Sequence, residues 1–246
     1  MPLPETDAPV QRAPSRKPAL IRALDRALDL VFPPRCVSCD AFGAFICDRC
    51  HADMTRADSL RCDTCWMPID PRASCRNCWA HRPRLRGVRS AFVYEAAARD
   101  AVLALKFRGL AAVAPQMARS MAEVLNDWEP PVASIVPVPL SGQRRRLRGY
   151  NQSELLAKEI SRLTGIPINR HALTRRRHTT AQTRTSGDAR WQNVAEAFRV
   201  GKEAPTGGVL LIDDVITTGA TLNACARVLL QEGVDGVFAL TFARED

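Results

Sequence analysis

VLLIDDVITTGATL, residues 209–222, reads as a buried strand that ends on two adjacent carboxylates, Asp213 and Asp214. Val209, Leu210, Leu211 and Ile212 form an unbroken apolar run, the pattern of a strand covered on both faces in a parallel sheet. A threonine- and glycine-rich turn follows, and GATLNACARVLLQEG (219–233) then has helical spacing with Gly233 as its stop. In open parallel sheets ligands lie beyond the carboxyl ends of the strands, where these two acids sit. A helix start offers unpaired N–H groups and the positive end of the dipole, which suits a phosphate. Gly219 lets the backbone come close, Thr217, Thr218 and Thr221 add hydroxyls, and Val215, Ile216 and Ala220 complete the turn. Carboxylates repel a phosphate unless they face another part of the same ligand, and a ribose diol needs acceptors. The stretch therefore describes a cradle for a ribose 5-phosphate. A Walker B strand also ends on acids, but it requires a GxxxxGK[ST] loop that this sequence lacks, as it lacks GxGxxG.

Outward from this stretch, strands and helices alternate. SAFVYE (90–95), ASIVPVPL (133–140) and VFALTFA (237–243) read as strands; AARDAVLALKF (97–107), LAAVAPQMARSMAEVL (110–125) and SELLAKEISRLTG (153–165) read as helices. This predicts an α/β fold, a parallel sheet with helices on both faces, over residues 88–246. Two basic, poorly periodic segments interrupt the pattern: SGQRRRLRGYNQ (141–152) and TRRRHTTAQTRTSGDARWQN (174–193). The second is long for a connection inside a compact domain, as lids and disordered loops are. Residues 18–84 are expected to hold a short amphipathic helix, 18–32, followed by a cysteine-rich module. Residues 1–17, proline-rich and aperiodic, read as a disordered tail.

Of 246 residues nine are cysteines, and eight of these form four CxxC pairs: Cys36/Cys39, Cys47/Cys50, Cys62/Cys65 and Cys75/Cys78. Each CxxC turn supplies half of a tetrahedral thiolate site, so the module predicts two structural Zn²⁺ sites. Sequential and interleaved pairing both satisfy the spacing, and an iron–sulfur cluster is the lesser alternative. His51 and His81 adjoin a complete set of thiols and read as exposed surface residues. Trp66 and Trp79 read as filling a small core rather than stacking on bases. Cys225, on the helix after the threonine-rich turn, reads as a small buried apolar residue. The formal charge of +9 favours an anionic partner. No uncharged run reaches the roughly 20 apolar residues of a membrane span, and no secretory signal is visible, so a cytoplasmic location is expected.

The residues of VLLIDDVITTGAT resemble the phosphoribosyl-pyrophosphate (PRPP) signature of type I phosphoribosyltransferases. IVPVPLSGQRRRLRGYNQSELLA (135–157), LALKFRG (103–109), QTRTSGDARWQNVAEAFRV (182–200) and the four CxxC pairs together resemble the ComF family of competence proteins, which covers nearly the whole chain from residue 33 onward. The resemblance implies a type I phosphoribosyltransferase-like sheet behind a double zinc ribbon. It also implies PRPP bound with Mg²⁺, Asp213 and Asp214 as the catalytic acids, and residues 215–221 around the 5-phosphate. A role in DNA uptake during natural transformation follows from it too, with single-stranded DNA and a DNA-translocating helicase as partners. It leaves open whether PRPP is turned over or only sensed.

Lys106, Arg108, Arg144, Arg145, Arg146, Arg148, Gln152, Arg184 and Arg190 are candidates for pyrophosphate or nucleic-acid contact, since guanidinium forks match phosphate oxygens. A solvated charge run is the plainer reading of the arginines. Asn151 belongs with this set, although capping of the next helix explains it more simply, and Tyr150 is placed to read an acceptor.

Overall fold

A computed structural model of the chain describes residues 33–58, 60–70, 72–176 and 196–246. The expected tail and first helix, together with Arg177, His178, Arg184 and Arg190, lie outside the described residues.

Four parallel strands run in the order β1–β6–β5–β2: β1 is Gly87–Val93, β2 is Ser134–Pro137, β5 is Gly208–Ile216 and β6 is Gly236–Arg244. Alternation along β5 divides the core. Leu210 and Ile212 face one side, and Val209 and Leu211 face the other. The first side packs on α3 (Ala96–Phe107), α4 (Ala114–Trp128) and α6 (Gln152–Thr164), through Val102, Leu105, Met117, Met121, Leu156 and Ile160. The second packs on α7 (Ala220–Gln231), through Leu222, Cys225 and Leu229. The expected sheet with two covered faces is present, and Cys225 is fully buried as read from sequence.

Two elements depart from the sequence expectation. Residues Gly142–Arg148 form a helix, α5, where an irregular basic segment was expected. Its apolar Leu147 is exposed, so it is held by its ends. Ser141 Oγ accepts from Arg144 N, and Gly149 closes it in the left-handed conformation. A short antiparallel pair, β3 (Leu173–Arg175) with β4 (Phe198–Val200), also forms outside the main sheet.

Two further helices, α1 (Asp48–Ala52) and α2 (Arg76–His81), belong to the cysteine module. Cys36, Ile46, Cys50 and Met54 join the same apolar cluster as α3, α4 and β1, so this part of the module shares the main core. Among the described residues no helix is long and apolar enough to cross a membrane.

Candidate functional site

The cysteine pairs associate sequentially. Cys36, Cys39, Cys47 and Cys50 converge in one group, and Cys62, Cys65, Cys75 and Cys78 in a second, with the ligand atoms of each within 4.8 Å of one another. The Sγ separations are 3.6 Å for Cys39–Cys47, 3.6 Å for Cys62–Cys78 and 3.4 Å for Cys65–Cys75. A tetrahedron with Zn–S near 2.3 Å places sulfurs about 3.8 Å apart, so both groups fit structural zinc. His51 is not an exposed surface residue: its Nε2 lies 2.9 Å from Ser120 Oγ, and its ring packs edge-on against Phe92. His81 is likewise only half-buried rather than exposed. Trp79, expected in a core, is 81% exposed, whereas Trp66 is partly buried with the Arg89 guanidinium 3.9 Å above its ring.

A cavity-forming region lies where β2 ends at Pro137, level with Ile212 of β5; contrary to the sequence expectation, β5 itself does not end on the two acids but runs on past them to Ile216, paired with β6. A cavity of about 490 Å³ opens there, bordered by Lys106, Arg148, Ser153, Asp213, Asp214 and Thr217 among others. A smaller space of about 100 Å³ lies within the turn at 215–222. Asp213, Thr217 and Thr221 border both, so the acids and the threonine-rich turn face one continuous site. Gly219 adopts φ 81° at the start of α7, a left-handed conformation that favours glycine there even though a Cβ would find room. Thr218 Oγ1 accepts from Ala220 N at 3.4 Å, which shapes the turn.

Asp214 is only 2% exposed. Its Oδ1 sits 2.8 Å from Lys106 Nζ, and that ammonium compensates a buried carboxylate. Its Oδ2 is buried with no hydrogen-bond partner, an acceptor that a ligand hydroxyl would satisfy. Asp213 Oδ1 accepts from Ser153 Oγ at 2.8 Å and from the Asp214 amide at 2.9 Å. Burial, and then the charge of Asp214, push the Asp213 carboxyl up to about 7 against the pull of Lys106 and Ser153.

Opposite the acids stand Arg144, Arg148 and Arg175. Burial lowers the basicity of Arg148 and Arg175, and the nearby charge of Arg144 lowers both further. Arg148 Nη1 and Arg175 Nε are buried without hydrogen-bond partners, as is Gln152 Oε1. Crowded, under-satisfied guanidinium groups are relieved by a bound anion.

The predicted basic residues therefore divide. Lys106, Arg144, Arg148 and Gln152 line the cavity. Arg144 and Arg148 are four apart on α5 and share the face that borders the cavity, Arg148 partly buried and Arg144 exposed at its rim, whereas Arg145, 3.9 Å from Glu154, and Arg146 are exposed away from it. Arg108 turns away, toward the Val37 carbonyl at 3.4 Å. Asn151 is spent on the fold: Oδ1 caps Ser153 N and Nδ2 donates to the Val138 carbonyl. Tyr150, whose hydroxyl donates to the Leu105 carbonyl at 2.6 Å, is not a reader of ligands either. Ser153 and Tyr94, also at the cavity, were not singled out from sequence. For Ser153 the signal was available, since NQS opens a helix whose first turn follows the basic segment at the end of β2.

One buried network joins the two regions. Arg244, at the end of β6, donates to the Cys65 carbonyl at 2.8 Å and to the Thr217 carbonyl at 3.4 Å, and it also contacts Met67 Sδ. Arg61 grips Asp246 with both terminal nitrogens at 2.8 Å, and Arg244 Nε lies 3.4 Å from the same carboxylate. The second cysteine group and the threonine-rich turn thus share a guanidinium.

A double zinc ribbon family model matches residues 27–79. The chain is 33% identical over 196 residues to the DNA utilization protein YhgH of Salmonella typhi, covering 76% of this chain and 85% of that protein. It is 28% identical over 195 residues to competence protein ComFC of Bacillus subtilis, covering 76% and 79%. Its match to competence protein F of Haemophilus influenzae is 40% over 114 residues, which spans 50% of that protein. Shared ribbons and the length of these alignments lead to one statement of kinship: the chain belongs to the ComF family of competence and DNA-utilization proteins.

Proposed function

We propose that the chain binds PRPP in the cavity at the carboxyl ends of β5 and β2 and works in the uptake or utilisation of DNA. The observation that carries the first half is the joint exposure of Asp213, Thr217 and Thr221 to one site, with a cationic wall of Arg144, Arg148 and Arg175 across from them. The ribose hydroxyls donate to Asp213 and to the unpartnered Oδ2 of Asp214. The 5-phosphate rests on the turn at 217–221, and the pyrophosphate lies against the arginines. A Mg²⁺ ion carried with PRPP would neutralise the diphosphate charge. Transfer, where it occurs, breaks the C1–O bond with both electrons leaving on pyrophosphate. A nitrogen nucleophile forms the new C1–N bond and gives up a proton. The names of the relatives support the DNA role.

Calorimetric titration with PRPP and Mg²⁺ tests binding, and pyrophosphate release against a panel of bases and amines tests turnover. Heat of binding that disappears in an Asp213→Asn, Asp214→Asn double variant is expected. No binding by the wild type sinks the proposal.

A second reading is favoured by the exposed Trp79 and Phe42 on the ribbons, which suit contact with single-stranded DNA or with a partner such as a DNA-translocating helicase. Single-stranded DNA affinity that falls steeply with salt is the expected sign of direct contact.

A further inference from the structure

Thr217 opens the threonine-rich turn and borders both spaces of the candidate site. Its backbone carbonyl accepts from Arg244 Nη2 at 3.4 Å. The same guanidinium donates from Nη1 to the carbonyl of Cys65, a member of the second thiolate group, at 2.8 Å. Arg244 is fully buried, and Asp246, itself gripped by Arg61, answers its charge. A planar fork held in a dry interior fixes the relative positions of its acceptors. Beyond the turn the second ribbon is tied again. The Arg84 amide, in the segment that leaves the ribbon, donates to Asn223 Oδ1 at 2.6 Å, and Asn223 stands in the first turn of α7. Trp66, next to Cys65, packs with Leu85 on the cluster that holds Ile216 and Leu222. The turn is thus bracketed by a polar tie at its start, another just past its end, and apolar contact alongside.

A cradle of backbone N–H groups receives a phosphate only while those groups converge. The local bond that shapes this turn, from Ala220 N to Thr218 Oγ1, is a long one at 3.4 Å. The braces from the second ribbon therefore carry part of that task. A small thiolate module keeps its own shape only with its metal, so the brace is as firm as the metal site. We infer, resting on the PRPP reading above, that Arg244 is a positioning residue that joins metal binding to anion binding. With the second thiolate group closed on zinc, Arg244 holds the turn in its phosphate-receiving shape, and a phosphate on the turn tightens that ribbon's hold on zinc. Linkage makes the effect mutual: the factor by which zinc raises PRPP affinity is the factor by which PRPP raises zinc affinity.

The test uses the full zinc-loaded chain. Zinc affinity is read by equilibrium competition with a chromogenic chelator, with and without saturating PRPP and Mg²⁺. Hydrogen exchange of peptides spanning 61–79 and 36–50 shows which ribbon responds. PRPP is expected to raise the zinc affinity of the second ribbon roughly 5-fold, the low end of usual couplings, and to slow exchange over 61–79. Arg244→Met abolishes both responses. Asn223→Ala, which leaves the buried arginines in place, diminishes them and decides the matter where melting curves show that Arg244→Met does not fold. An Arg244 that only stabilised the fold would lower the melting temperature without changing how zinc affinity responds to PRPP. The inference is overturned if bound PRPP leaves zinc affinity and exchange over 61–79 unchanged, or if 36–50 responds as strongly as 61–79. It is overturned equally if the response survives intact in folded Arg244→Met or, failing that variant, in Asn223→Ala. PRPP calorimetry on the same samples separates the two claims. PRPP bound without a zinc response removes the link alone, and failure of PRPP to bind removes the sugar-phosphate reading and the link with it.

Discussion

The two zinc ribbons are built alike and attached differently. The first docks by apolar burial: Cys36, Ile46, Cys50 and Met54 enter the main cluster, and Gln116 of α4 exchanges hydrogen bonds with both backbone groups of Ile46. The second is held largely by arginines. Arg61 and Arg244 close on Asp246, Arg244 reaches Cys65, and Arg89 lies over Trp66 and bonds the Asp63 carbonyl at 3.2 Å. Apolar attachment is indifferent to geometry beyond its own contact, whereas a guanidinium fixes several acceptors at once. Among the described residues, the second ribbon is tied to the threonine-rich turn by hydrogen bonds through the shared Arg244, whereas the first meets that stretch through the apolar cluster on which Val215 packs.

The largest effect that would test this contrast comes from zinc itself. Thiolate-bound structural zinc contributes about 10–16 kcal/mol to folding in small modules. Chelation should therefore unfold both ribbons, and Cys50→Ser should lower the melting temperature of the sheet domain more than Cys75→Ser, because Cys50 sits in the main cluster. Equal shifts for the two variants would erase the distinction between the ribbons. Next in size is Arg244→Met, which leaves the Arg61–Asp246 pair but unhooks Cys65 from Thr217. Because Asp246 keeps Arg61 as its partner, no charge is stranded, and the loss is that of the guanidinium's hydrogen bonds, about 1.5–3 kcal/mol. Weaker PRPP binding should accompany the loss of stability; Arg244→Met with unchanged PRPP affinity would show that the network braces the ribbon only. Arg89→Ala is smaller still, about 1 kcal/mol from the lost cation–π contact with Trp66, measurable by denaturant titration.

A pH titration supplies the remaining test. Asp213 is raised from 3.8 to about 7, so the folded state keeps a proton that the unfolded chain has already lost. Stability should then fall as pH rises from about 4 to about 7, and this component should vanish in Asp213→Asn. An identical pH profile in the variant would contradict the assignment.

Much of this was readable from local pattern. The unbroken apolar run before Asp213 and the helical spacing after Gly219 predict β5 and α7, and four CxxC turns predict two metal sites. The pairing of the turns was not readable, because both pairings satisfy the spacing; only the folded chain brings Cys39 to Cys47 and Cys62 to Cys78. α5 escaped because helix periodicity depends on a buried face, and its single leucine points to water, although Ser141 and Gly149 stand at its ends as caps. The partner of Asp214, Lys106, is distant in sequence, and no local pattern announces such a pair. Trp79 was misjudged for a related reason: a small zinc-held module does not need a large aromatic core.

The central claim is that a sugar phosphate lies between the paired acids and the turn that follows them. Titration calorimetry with PRPP and Mg²⁺, run on the wild type and on the Asp213→Asn, Asp214→Asn variant with matched melting curves, tests it most directly. The account predicts saturable binding to the wild type and its loss in the folded variant. Equal binding by both proteins, or none by the wild type, would contradict it.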